Sequence, residues 1–128
     1  MISKNTDLGL LLLRISTGGL MLFHGVSKLI HGISFLVENM GAFGYAVYIG
    51  EVLAPIAILL GFRTRIAAVL LAFTCIVAIA TAHAQDIFSI SEHGGYALEL
   101  LMLYFFGAVA LFFTGAGKYA VSKNNQWD

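Results

Sequence analysis

LGLLLLRISTGGLMLF, residues 8–23, is an apolar stretch of helical length broken by one cation, Arg14. Two further segments have the same character: YAVYIGEVLAPIAILLGF (45–62), with Glu51 inside it, and ALELLMLYFFGAVALFF (97–113), with Glu99 near its start. An ionised side chain costs about 2 to 4 kcal/mol at the middle of a bilayer unless it is paired or hydrated. Three such residues in so short a chain call for interior partners or a polar cavity.

Composition gives the solvent. Hydrophobic residues make up 59% of the 128 and charged residues 11%, with a mean hydropathy of +0.90, whereas a soluble domain carries roughly 25% charged residues. The length suits a single domain, residues 1–128, with the lipid bilayer as its surroundings and no room for a separate nucleotide-binding unit. A formal net charge of zero gives no reason to expect nucleic acid as a partner. Arg14 interrupts the first apolar run and no small-x-small cleavage site follows it closely, which argues against a cleaved signal peptide.

Four segments meet the need for about 20 mainly apolar residues, at about 8–28, 42–62, 65–84 and 96–115. The expected fold is all-α: four transmembrane helices in an up-down bundle, with the polar turn Gly61-Phe62-Arg63-Thr64-Arg65 joining the second helix to an antiparallel third. Lys4, Arg63, Arg65, Lys118 and Lys123 fall on one side of this arrangement and Lys28 on the other, so the termini are expected to be cytoplasmic. Between the first two spans, Ile30, Ile33, Leu36, Val37 and Met40 fit either an irregular loop or a short helix at the membrane surface.

On the first helix Arg14, Gly18, Met21, Gly25 and Lys28 recur at alternating intervals of four and three, forming one stripe. Its glycines would let another backbone approach, as helix packing in lipid requires. On the second helix Pro55 lacks the N–H that would bond the Glu51 carbonyl, so a kink is expected there. A depth count makes a buried Arg14 to Glu51 ion pair feasible. A second group gathers towards the opposite membrane face: His24, Lys28, His83, Tyr96, Glu99 and Tyr104.

That group admits three chemistries. Quinone carbonyls accept hydrogen bonds from His, Tyr or Lys, and reduction needs a proton route such as His to Glu. Haem ligation by His24 and His83 is weaker, since no other haem signal appears. Movement of a proton or solute past Arg14 and Glu51 fits buried charges but lacks a transporter repeat. The lone Cys75 allows no C-x-x-C motif, and no zinc spacing, P-loop or dinucleotide fingerprint is present, so no metal site is expected.

The early arginine followed by HGVSKL (24–29), GEVLAPIAILLGFRTRIAA (50–68) and ALELLMLYFFGAVALFFTGAGKYAV (97–121) resembles the DoxX family of small bacterial membrane proteins. The resemblance covers most of the chain. It implies a four-helix bundle in the bacterial inner membrane, linked with thiosulfate:quinone oxidoreductase and terminal oxidase systems or with thiol and oxidative-stress redox partners. The matching positions are Arg14, Gly25, Lys28, Glu51, Gly61, Arg63, Arg65, Glu99, Gly115 and Gly117; Ala116 stands where the family's late motif often has proline. The resulting expectation is a quinone-binding subunit or partner of an oxidoreductase, alone or as a homo-oligomer, without an electron donor of its own. A non-enzymatic assembly protein, whose buried charges fix helix register, is the alternative.

Overall fold

A computed structural model describes residues 3–128 of the chain; the first two residues of the expected 1–128 domain lie outside the described residues. The first helix, α1 (Thr6–His31), begins where Asn5 caps it, the side-chain oxygen accepting the Leu8 N–H at 3.0 Å. Asp7 in the first turn suits the positive end of the helix dipole. Directly after Arg14 the helix widens into a π turn, Ile15–Gly19. Such a turn takes in one extra residue and turns the side-chain face. Arg14, Thr17, Gly18, Met21 and Gly25 are all buried, as the stripe requires.

The connection after α1 is helical from Ser34 to Met40 and tightens to a 3-10 helix over Gly41–Ala46, together forming α2 (Ser34–Ala46). Next, α3 (Ile49–Leu60) opens with a second π turn, Ile49–Leu53, and becomes regular from Ala54, with Pro55 in its first turn. α2 and α3 meet at 55°. The second span expected at 42–62 is therefore not one straight helix. The bend falls before Glu51, between Ala46 and Ile49, and not at Pro55, which sits in the first turn of the regular helix, where a missing N–H costs least.

α4 (Thr64–Ala82) follows the expected third span within two residues. α5 (Glu99–Thr114) starts three residues later than the expected 96, because Tyr96 is held in an isolated antiparallel bridge with Ile90. Among the described residues no strand forms beyond that bridge.

Small residues fill the interior. Ala54, Ala67, Ala68 and Ala108 lie in the core beside Ile58, Leu71, Cys75 and Leu111, while Phe23, Leu103, Phe106 and Phe113 are exposed. Small-inside and large-apolar-outside is the packing of helices in lipid, where close backbone approach replaces the hydrophobic drive. α1 and α4 are each long and apolar enough to cross a bilayer, and α2 with α3 would make a third, broken span. α5 is apolar but, at 16 residues, its length of about 24 Å is short of the roughly 30 Å hydrocarbon core. The chain is an all-helical membrane protein.

One end of the fold is fastened by arginines. Arg14 is 1% exposed, and its guanidinium donates to four carbonyls: Nε to Ile58 at 2.8 Å, Nη2 to Leu59 at 2.9 Å, and Nη1 to Ala116 at 3.2 Å and Tyr119 at 2.6 Å. The first two belong to the last turn of α3, where the helix dipole favours a cation and the Ile58 carbonyl also accepts the Gly61 N–H. The other two belong to the segment after α5, so one side chain ties α1, α3 and the C-terminal arm together.

The arm continues across the α3–α4 turn. Gly61 ends α3 in the left-handed conformation, and its carbonyl accepts the Ser122 N–H while that of Leu60 accepts the Val121 N–H. Arg63 has φ +46°, the one positive φ outside glycine among the described residues, a conformation that costs about 1 to 2 kcal/mol. Asp128 holds it, accepting both the Arg63 N–H at 3.2 Å and Nη1 at 2.9 Å. Burial pushes the Asp128 carboxyl up, but hydrogen bonds from Ser122 and the Asn125 N–H, together with the Arg63 guanidinium, outweigh that and hold its pKa at about 2.

Two outcomes are expected. Arg14→Met leaves the carbonyls of Leu59, Ala116 and Tyr119 without their donor, each costing about 1 to 3 kcal/mol when buried; unfolding in detergent should shift sharply downwards, and adding Glu51→Leu should recover none of the loss. Recovery would restore the Arg14 to Glu51 pairing. Because the Asp128 pKa is depressed, its contribution to docking the arm is complete above the ordinary value of 3.8 and disappears as pH falls through about 2. Emission from Trp127, the single tryptophan, should therefore be constant above about pH 4 and shift to the red between about pH 4 and 2.

Candidate functional site

Two glycines decide what surrounds Glu51. A Cβ at Gly25 of α1 would collide with the Glu51 carbonyl, and one at Gly50 would collide with the Thr74 hydroxyl of α4. Both helices therefore close on α3 at this level. The carbonyl that Pro55 leaves free is thus covered by the α1 backbone at Gly25.

Lys28, one turn beyond Gly25, reaches the carboxylate. Its Nζ lies 2.9 Å from Glu51 Oε2 and donates to Oε1 at 3.2 Å. The side chains are 24% and 12% exposed, respectively. Both carboxylate oxygens thus face the ammonium, and the buried Oε2 has no further partner among the described residues. Tyr48 helps to position this end of α1 by donating to the Lys28 carbonyl at 3.2 Å.

Above the pair lies a cavity of about 380 Å³ enclosed by α2, α3 and α4. Phe35, Met40 and Phe43 come from α2, Phe73 and Val77 from α4, and His83 stands at the end of α4. Its walls are apolar apart from Lys28, Glu51, His83 and the threonines Thr74 and Thr81, whose hydroxyls donate to Leu70 and Val77 of their own helix. An apolar chamber with few convergent polar groups is the usual form of a small-molecule site.

The expected buried pair is rearranged: Glu51 takes Lys28, and Arg14 takes carbonyls only. The reason is register. Arg14 is level with Ile58, Gly18 with Pro55 and Gly25 with Glu51. Glu51 lies seven residues before Ile58 along α3, which puts it about 10 Å from the Arg14 level.

The six residues expected in one outer site separate into three places. Lys28 and His83 line the cavity. His24 is exposed and packs edge-on against buried Tyr104, with ring centres 6.0 Å apart. Tyr96 donates its hydroxyl to the Ile87 carbonyl within the 83–98 loop, and exposed Glu99 folds its carboxylate against Gly95. His24 and His83 do not share a chamber, which removes the geometric basis for haem between them. His83 Nδ1 instead lies 3.8 Å from Asp86 Oδ2. Among the described residues no group of three His, Cys, Asp or Glu could hold a metal ion.

Sequence reading missed the wall supplied by α2. The apolar positions Leu36 and Met40 were visible, but Phe35 and Phe43 join them only because the helix folds back at 55° over α3.

Comparison with known proteins places this geometry in a family. The chain is 32% identical over 108 residues to the Bacillus subtilis (strain 168) protein named "Putative oxidoreductase CatD", an alignment covering 80% of each chain. No solved structure matches. The family model described as DoxX matches residues 9–84, which include both the Arg14 region and the whole Lys28, Glu51 and His83 site; the chain belongs to the DoxX family.

Proposed function

We propose that this protein is the quinone-binding membrane component of a redox system, forming one transmembrane domain in a bacterial inner membrane with α5 as a fourth, short span. The observation that carries the reading is the Lys28–Glu51 ion pair set in the wall of the 380 Å³ apolar cavity. The name of the Bacillus subtilis relative agrees with an oxidoreductase setting. With Lys4, Arg63, Arg65, Lys118 and Lys123 on the cytoplasmic side, the cavity faces the opposite half of the membrane.

The chemistry follows from the donors. Lys28 Nζ supplies a charged hydrogen bond to a ring carbonyl, and the aromatic side chains of α2 and α4 enclose the ring. Reducing a quinone to a quinol takes two electrons and two protons. The electrons come from a partner redox protein, since the chain's residues offer none. Both protons come from the surface, where His83 stands: the Lys28 ammonium gives a proton to the ring oxygen it bonds, and the Glu51 carboxylate, its ion-pair partner, takes up a proton arriving past His83 and restores it to Lys28.

A second reading has its own observation. Arg14 binds only carbonyls of α3 and the arm, which is what a buried charge used for register would do. On that reading the bundle is an assembly partner, and its polar groups exist to fix packing.

Calorimetric titration of the full chain in mild detergent with a short-chain ubiquinone and a short-chain menaquinone tests the first reading. One quinone per chain is expected, with Lys28→Met binding at least about tenfold more weakly, as loss of a charged hydrogen bond predicts. Equal binding by wild type and Lys28→Met, or none by either, would remove the quinone assignment. A quinone-free preparation that carries one defined polypeptide would establish the assembly reading instead.

A further inference from the structure

At the opposite end from the cavity, the arm and the ends of α4 and α5 enclose a second cleft of about 430 Å³. Its lining is polar and cationic: Arg65, Lys118 and Lys123, with the backbone of residues 115–117. Asp128 also lines it, with its carboxylate engaged by Arg63, Ser122 and the Asn125 N–H. Asp7, near Lys118, accepts the backbone N–H of that residue at 3.0 Å. Neither acid forms an ion pair with Arg65, Lys118 or Lys123 among the described residues.

The cations retain donors. Arg65 has five N–H groups, of which Nε donates to Phe112 O and Nη1 to Gln126 O, both at 2.7 Å. Three remain, and the guanidinium is held flat by Phe112, whose ring centre is 4.8 Å away. Lys118 and Lys123 are exposed and donate to no acceptor among the described residues, with Lys118 Nζ 5.3 Å from the Tyr119 ring centre. A fixed guanidinium fork beside two ammonium groups matches the geometry and charge of a phosphate.

The surroundings indicate where such a phosphate comes from. Phe62, Phe113, Tyr119 and Trp127 are all exposed around this end of the fold, the arrangement of aromatic residues at a membrane headgroup level. The cleft therefore opens where the apolar helices end and charged headgroups begin. We infer that Arg65, Lys118 and Lys123 form a site for the phosphate of an anionic phospholipid, with the arm as its outer wall. A basic recess at the end of membrane helices is a recognised setting for acidic lipid headgroups.

The test is native mass spectrometry of the full chain released from detergent, after incubation with phosphatidylglycerol, phosphatidylcholine or inorganic phosphate. Retention of about one phosphatidylglycerol in preference to phosphatidylcholine is expected, and Lys118→Gln/Lys123→Gln should weaken it about 30-fold. Both side chains are exposed and without partners, so the variant should fold as the parent does. Lys4→Gln removes a charge from the same end but outside the cleft and should leave retention unchanged. Displacement of phosphatidylglycerol by millimolar inorganic phosphate would keep the phosphate site and assign it to a soluble anion. Equal retention of the two lipids, or equal losses in the Lys4 and the double variant, would overturn the site and leave only diffuse attraction between a basic end and an acidic surface.

Discussion

The rest of the structure depends on a guanidinium placed among four carbonyl oxygens. Arg14 carries no counter-carboxylate; its charge is balanced by the negative end of α3 and by the carbonyls of Ala116 and Tyr119. Arginine suits this task because its planar fork presents several donors at fixed angles and it stays charged in an apolar setting. A lysine would bring three donors from one point and could not reach carbonyls on two elements at once. The contact fixes the height of α1 against α3, and that height carries Gly25 opposite Glu51 and Lys28 within reach of the carboxylate. The fastening at one end thus determines the composition of the cavity wall at the other.

Both halves of this arrangement involve a π turn. One follows Arg14 and the other contains Glu51. Each widens a helix by one residue where an ionisable group must meet a neighbour, and such insertions often occur at functional positions. In α3 the Glu51 carbonyl, to which Pro55 has no N–H to give, is covered by α1 at Gly25, and just before the turn the chain changes direction by 55° between α2 and α3. The bend in turn lays the aromatic side chains of α2 across α3 and encloses the space above the ion pair.

Much of this was legible in the sequence, at the level of single helices. The stripe from Arg14 to Lys28 follows from helical periodicity alone, and all its members except the partly covered Lys28 are buried. Hydropathy placed α1 and α4 within a few residues, because long apolar runs carry their own boundaries. What one helix cannot encode is its register against another. Pairing Arg14 with Glu51 assumed straight helices counted from their ends, whereas the observed level of Arg14 is set by the last turn of α3. The six outer residues looked like one group for the same reason: a shared depth does not specify a shared side of the bundle, and His24 turns towards Tyr104 instead of the cavity. The role of the C-terminal arm was least legible, since its hydrogen bonds with Arg14 and Arg65 run through backbone carbonyls that any residue would provide, while those of Ser122 and Asp128 with Arg63 use side chains.

The separation between Arg14 and its last partners has a consequence for biogenesis. Ala116 and Tyr119 lie 102 and 105 residues after Arg14 in the chain, so the first helix enters the membrane with a charge whose hydrogen bonds are incomplete. At ordinary elongation speeds the wait is roughly 5 to 20 s. During that interval α1 must rest where water or headgroups still reach the guanidinium, and full insertion coincides with the docking of a segment made near the end of synthesis. A chain that stalls or is clipped before Ala116 would therefore keep a guanidinium in its first span with only the Ile58 and Leu59 carbonyls as acceptors.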